Sequence, residues 1–217
     1  MEREGLNSAE LFRGMNSDEI DEALKGLEAR EKGYQKNAVI LRAGEMTEHV
    51  CVVLKGSVTI ESNDVWGNRT ILSHVGPGQC FAETYALLPR EPLLVDVTAN
   101  EDCKVLFLRS GPLMATHDDD APWMRKMIGN MLAVSLQKNL HLSGRSFHTA
   151  PKSARGRVMA YLNSVSLRKN SRDFDIPFDR QQLADYLNLE RTALSKELGR
   201  MQRDGLIRTR KRHFVLL

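Results

Sequence analysis

Apolar residues recur at helical spacing twice near the C-terminal end of the chain. Leu183, Tyr186 and Leu187 stand at i, i+3 and i+4, and Leu194, Leu198 and Met201 form a second stripe. Asp179 precedes the first stripe as an N-cap, and Gln182 three residues on can complete a capping box. Asn188 lies between the stripes and tolerates the left-handed conformation that a sharp turn needs. The pattern predicts two short helices and a tight turn over residues 179–200. With its apolar stripe turned inward, the second helix leaves Arg191, Thr192, Ser195, Lys196 and Arg200 outside. Those side chains can read guanine, touch thymine or bond phosphate. Glu190 just before the helix, and Arg180 and Gln181 at the start of the first, complete the candidate DNA contacts. An ordinary helical hairpin with a solvated charged face shows the same periodicity.

Gly205 ends the second helix. Leu206-Ile207-Arg208-Thr209 and Phe214-Val215-Leu216-Leu217 then read as two strands around Arg210-Lys211-Arg212-His213. A hairpin with a cationic tip beside such a helix is a wing, and its natural contact is phosphate.

The earlier part of the chain has another rhythm. Gly33, Gly44, Gly56, Gly67 and Gly78 punctuate short strand-like runs: residues 38–41, 50–54, 58–60, 70–72 and, further on, 104–108. Such runs predict a β sandwich or barrel, with the glycines supplying positive φ at turns. A short amphipathic helix with Ile20, Leu24 and Leu27 inward is expected before them. A long helix is expected from Trp123 to about Leu142, with Pro122 in its first turn. Met124, Met127, Ile128, Met131, Leu132, Leu136 and Leu140 give it more apolar surface than one seam needs. It is expected to bury one side on the β domain and another on a second copy of the chain, although packing on one core alone remains open. Asp118-Asp119-Asp120 reads as its acidic N-terminal flank. Gly144 and Pro151 are expected to interrupt helix within a joint over residues 143–153. The fold class is therefore α+β: a β-roll over 1–120, a dimerisation helix over 121–143 and a winged helix-turn-helix over 144–217.

Charge separates the same parts. From Arg145 onward there are 16 Lys/Arg against 7 Asp/Glu, and elsewhere 15 against 21, so a net charge of +3 conceals a cationic C-terminal third. That asymmetry points to double-stranded DNA as partner of the C-terminal part only. With 41% hydrophobic and 27% charged residues the 217-residue chain has a globular composition. No membrane span and no signal core are visible, so the expected compartment is the cytoplasm. Cys51, Cys80 and Cys103 lack metal-ligand spacing and read as buried residues. No catalytic constellation, metal site or cofactor is expected: there is no Gly-rich phosphate loop, nucleophile elbow or paired carboxylate.

Glycine-spaced roll, long helix and winged helix-turn-helix together resemble the Crp/Fnr family of transcription regulators. The most specific segments are Gly56-Ser57-Val58, the run 76–83 (GPGQCFAE) and the helical pair above. The family's recognition helix carries Ser-Arg-x-x-(aliphatic)-(small)-Arg, and here residues 190–196 read ERTALSK. The resemblance puts Arg191 on the guanine-reading arginine and Lys196 on the downstream one. Thr192 stands where many members have glutamate, and Glu190 replaces the serine. It implies a homodimer on an inverted-repeat operator with half-sites about 34–36 Å apart, with RNA polymerase as a further partner. The departures imply an operator different from that of cyclic-AMP-responsive members.

The resemblance also places an effector site in the roll. Cyclic-nucleotide-binding relatives use Gly-Glu-x-x-(apolar), followed by Arg-Ser/Thr, to hold phosphate and ribose. Here Ala82 replaces the glycine, Glu83 is kept, and Leu93-Leu94 replace the Arg-Ser pair. A phosphate without its bidentate cation loses its strongest contact, so a cyclic nucleotide is not expected in the usual manner. Leu93, Leu94 and Val95 suggest an apolar pocket for a largely apolar acid, and relatives that sense halogenated aromatics offer a precedent. Candidate contacts are Glu83, Thr84, Leu93 and Leu94, with Ser135 or Asn139 from the long helix. The alternatives are that these residues fill the roll without a ligand and that Glu83 is structural. No cysteine precedes Cys51 to hold an iron–sulfur centre, and of the histidines only His74 and His141 merit testing as haem ligands. The rival reading of the whole chain is a cyclic-nucleotide-binding-like module that regulates a protein partner.

Overall fold

The computed structural model describes residues 6, 9–63, 69–88, 90–115 and 121–217. A 3-10 turn at Glu10–Phe12 leads to helix α1 (Ser17–Gly26). Asn16 accepts from the Glu19 amide while the Glu19 carboxylate accepts from the Asn16 amide, a reciprocal cap that fixes where α1 begins. Strands β1 (Arg30–Tyr34), β2 (Val39–Leu41), β3 (His49–Lys55), β4 (Val58–Asn63), β5 (Arg69–Val75) and β6 (Cys80–Phe81) follow. Helix α2 (Glu83–Leu87), strands β7 (Asp96–Ala99) and β8 (Cys103–Arg109), and helices α3 (Gly111–Met114) and α4 (Pro122–Thr149) come next.

The eight strands form two antiparallel four-stranded sheets, ordered β1-β8-β3-β6 and β2-β7-β4-β5. Side chains alternate across a strand, and β3 and β8 are covered on both faces. Val50, Val52, Leu106 and Leu108 join a core with α1, α3 and the start of α4. Cys51, Val53, Cys103 and Val105 join Val58, Val75, Phe81, Val97 and Ala99 between the sheets. Double burial explains why β3 reads as an unbroken apolar run. Gly44, Gly56 and Gly78 have positive φ as expected, whereas Gly33 lies inside β1 without it. Gly67 and Asp118-Asp119-Asp120 lie outside the described residues. The polar strand β1 and the short β6 and β7 escaped the periodicity argument.

The chain divides into two compact units, Met1–Leu136 and Gln137–Leu217. In the first, α4 buries Trp123, Met124, Met127, Met131 and Val134. Ile128, Leu132, Leu136 and Leu140 form a second line at four-residue spacing and are 41–75% exposed. The helix does not stop near Leu142 but runs through Gly144 to Thr149. A helical glycine costs only about 1 kcal/mol relative to alanine, and Arg145 and His148 beyond it gain contacts described below. The break falls at Ala150, the residue that Pro151 disfavours in helical conformation.

The second unit adds α5 (Ala154–Lys169), β9 (Asp173–Asp175), α6 (Arg180–Tyr186), α7 (Arg191–Arg203), β10 (Ile207–Arg210) and β11 (His213–Leu216). Val158, Tyr161, Leu162 and Val165 of α5 pack with Leu183, Leu187, Leu194, Leu198 and Met201 into one core. The hairpin is part of a three-stranded sheet, β10-β11-β9. No described helix is long and apolar enough to cross a membrane.

Candidate nucleic-acid interface

Local chemistry sets the helical pair. Asp179 accepts from the Gln182 amide and Gln182 Oε1 accepts from the Asp179 amide, both at 2.9 Å, so the expected capping box starts α6. Asn188 adopts φ 51° in the turn, and Gly205 takes φ 70° just past Asp204 at the end of α7. These are the left-handed positions expected of a tight turn and a helix C-terminus.

α7 buries Leu194, Glu197, Leu198 and Met201. Arg191, Thr192, Ser195, Lys196 and Arg200 are all exposed, as is Glu190 at the N-cap, which makes no side-chain capping bond. Gln181 is exposed and donates to Asp185 at 2.8 Å. Arg180 is placed differently from the other candidates. Its guanidinium stacks 5.2 Å from the Phe214 ring and donates to Thr209 Oγ1 at 3.0 Å. Burial draws its pKa below the usual arginine value. Arg180, Ser195, Leu198, Gly199, Gln202 and Thr209 line an open groove of about 250 Å³ between α7 and the hairpin.

The wing tip is the two-residue turn Lys211-Arg212, closed by the pair Arg210↔His213. Lys211 sits at φ 55°, a conformation glycine or asparagine usually supplies, so the turn keeps a cation there at a conformational cost. His213 turns toward β9, with ring nitrogens 3.2 Å from Asp173 and from Asp175. Arg210, Lys211 and Arg212 remain exposed.

The arginines that hold this frame were not among the sequence candidates. Arg157 donates to the Leu187 and Asn188 carbonyls at 3.1 and 2.8 Å and to Pro151 O at 2.9 Å. Arg145 reaches Asp185 O and Tyr186 O at 3.3 Å and lies 5.8 Å from the Tyr186 ring centroid. The α6–α7 turn is thus held from α5 and from the last turns of α4. His148 is buried beside it, Nδ1 2.9 Å from the Tyr186 hydroxyl, among Tyr161, Tyr186 and Phe147. Burial, with Arg168 nearby, lowers the His148 pKa, and burial pushes the Tyr161 hydroxyl up to about 12. Arg155 bonds Glu197 and Asp204, each at 2.7 Å. That pairing holds the Glu197 carboxyl below the usual range. The helical stripe of α5 and Ser153 as its cap are visible in the sequence but are not among the elements predicted from it, and which arginine meets which carbonyl depends on folded geometry.

The roll candidates do not assemble as one wall. Glu83 is buried at the start of α2, after Ala82 at φ 62°. Thr84 is exposed. Leu93 is buried and pinned by backbone bonds to Gly44 and Glu45, whereas Leu94 is 73% exposed with its amide 3.4 Å from the Tyr85 hydroxyl. The two leucines expected to line one pocket therefore do not share a face: Leu93 is buried and Leu94 is open to solvent. Ser135 is half-exposed on α4, and Asn139, in the second unit, accepts from Ser143 at 3.4 Å. His74 Nδ1 is engaged by Thr59 Oγ1 at 3.0 Å, and His141 stacks edgewise on Tyr186. Cys51, Cys80 and Cys103 are buried, and burial pushes the Cys51 and Cys103 thiols above their ordinary range.

Two family models match the chain: a cyclic nucleotide-binding domain over residues 31–120 and a Crp-like helix-turn-helix domain over residues 156–217. A curated relative, the transcriptional activator protein FnrL of Cereibacter sphaeroides, is 24% identical over 198 residues, covering 85% of this chain and 75% of that protein. Among solved structures, the Thermus thermophilus catabolite activator protein matches with a TM-score of 0.53 at 24% identity, over 96% of this chain and 94% of that one. CprK complexed with OCPA matches with a TM-score of 0.64 at 12% identity, over 92% and 91%. A nucleotide-binding-type roll followed by a Crp-like reader defines a class of regulators. The chain belongs to the Crp/Fnr family of transcription regulators.

Proposed function

We propose that the chain binds an inverted-repeat operator as a homodimer and does so under control of a small molecule held by the roll. One observation carries the DNA reading: Arg191, Thr192, Ser195, Lys196 and Arg200 are exposed on one helix whose other residues Leu194, Leu198 and Met201 are buried. Arg191 and Lys196 are assigned base edges, with Glu190, Thr192 and Ser195 modulating the sequence read. Gln181, Arg200, Arg210, Lys211 and Arg212 are assigned phosphate, and Arg180 the backbone beside the wing. The exposed line Ile128, Leu132, Leu136 and Leu140 supports the homodimer, because an apolar line of that length costs solvation unless a second copy covers it. RNA polymerase contact and a cytoplasmic location follow from the same reading, as does the order roll, dimerisation helix and winged domain, with the helix running to Thr149 rather than ending at 143.

The effector is assigned to the region of Glu83, Thr84 and Leu94. In the sequence, Leu93 stands where nucleotide-binding relatives carry the phosphate-binding arginine, which argues against a cyclic nucleotide held in the usual manner. An effector that binds the DNA-competent form more tightly shifts the population toward it.

The test is selection of duplexes from a random pool, followed by binding of the selected duplex at fixed salt. Arg191→Ala is expected to cost about 1–3 kcal/mol, roughly 5- to 150-fold. An unchanged affinity, or an equal salt-sensitive grip on every duplex, overturns the assignment.

A further inference from the structure

Glu197 is the acidic member of the recognition helix, and its carboxylate is contested. Arg155 of α5 meets Oε1 through Nε at 2.7 Å and also holds Asp204 Oδ2 through Nη2 at 2.7 Å. Arg200, one turn along α7, stands 3.4 Å from Glu197 Oε2. The Glu197 side chain is only 11% exposed and that of Arg200 is 61% exposed. A carboxylate so nearly covered needs a cation. While Arg155 supplies it with a short, charge-assisted bond, the longer contact to Arg200 is the weaker of the two.

We propose that Arg155 is a positioning residue for DNA: by neutralising Glu197 and Asp204 it leaves the Arg200 guanidinium available to a backbone phosphate. Arg155 itself faces the two carboxylates and makes no phosphate contact. Without it, Glu197 draws Arg200 inward as its counterion, and the recognition helix loses one cation at the duplex while regaining an uncompensated Asp204. The inference rests on the proposed DNA reading, since it assigns Arg200 to phosphate.

Salt dependence separates this role from simple support of the fold. Each phosphate neutralised contributes about −0.9 to the slope of log K against log salt. Binding of the selected duplex across a sodium chloride series is expected to show Arg155→Ala shallower than wild type by about 0.9 per subunit. Arg200→Ala should show the same loss, and the double variant no further loss. Glu197→Gln added to Arg155→Ala should restore the wild-type slope, because a neutral amide does not capture Arg200. Should Arg155→Ala melt below the assay temperature, Arg155→Gln carries the same expectation. A wild-type slope in the Arg155 variants, slope losses that add in the double variant, or no rescue by Glu197→Gln each overturn the proposal. Failure of the wild-type protein to bind any selected duplex overturns the DNA reading instead.

Discussion

The roll and the winged unit spend their apolar residues differently. In β3, Val50 and Val52 enter one core while Cys51 and Val53 enter another. β3 has no face left for chemistry. In α7 the buried stripe is narrow, and the rest of the helix surface is free to present Arg191, Lys196 and Arg200. The roll's candidate contacts lie in loops and a short helix. The winged unit displays its own on a regular element, where helical spacing alone separates inside from outside.

The contrast is broken most severely at Gly56. This residue has φ +76°, and a Cβ built on it would lie 2.8 Å from Asp102 O and 2.8 Å from Cys103 Cβ. Gly56→Ala combines a left-handed alanine with overpacking against backbone, an expected loss of about 2–4 kcal/mol. Residues 137–217 hold no tryptophan, and Trp123 is buried in the first unit, so tryptophan fluorescence does not report the winged unit. The tryptophan transition should fall while the ring NMR signals of Tyr161 and Tyr186 in the winged unit hold. An unshifted tryptophan transition would show that the Gly56 turn relaxes freely.

Asp179→Ala makes the reciprocal cut. It removes one side of the capping box of α6 and should cost the winged unit about 1 kcal/mol. Hydrogen exchange of the α6 amides should quicken with no change in tryptophan melting. Unaltered exchange would mean the Arg145 and Arg157 contacts alone set the helix pair.

His148 adds a dependence on pH confined to the same unit. Its folded pKa is lowered from 6.5, chiefly by burial. The neutral ring is therefore the folded form: its contribution is complete above the unfolded value and is lost as pH falls through the folded one. Melting followed by the ring NMR signals of Tyr161 and Tyr186 between about pH 7 and pH 5 should decline for the native chain and flatten for His148→Gln. Parallel curves for the two proteins would remove His148 as the source.

What was legible follows from which residues act alone and which act through folding. Asp179, Asn188 and Gly205 each impose a local backbone state, and each does so in the structure. The doubly buried β3 was visible as an apolar run, but polar β1 and two-residue β6 exist through pairing with β8 and β3, a non-local cause. Gly144 was a misleading signal because contacts of Arg145 and His148 outweigh a small helical penalty. Leu93 and Leu94 look alike in sequence and differ in exposure because the bonds to Gly44 and Glu45 fix which of them turns inward. The brace of Arg155 on Glu197 spans 42 residues and has no periodic trace.

The smallest expected effect lies at Ala82, where the roll departs from the glycine of nucleotide-binding relatives. Ala82 holds φ 62° and ψ 7° immediately before α2. A left-handed L-residue costs about 1–2 kcal/mol, of which the greater unfolded freedom of glycine takes back about 0.4–1. Ala82→Gly should then stabilise the roll by roughly 0.5–1 kcal/mol, raising the tryptophan transition and leaving the melting of Tyr161 and Tyr186 in the winged unit in place. The Ala82 methyl packs against the inter-sheet core, and glycine forfeits that contact. A lowered transition would therefore mean that the methyl outweighs the strain. The alanine would then be a packing residue of this roll, and α2 would keep its place by side-chain contact rather than by the freedom of the residue before it.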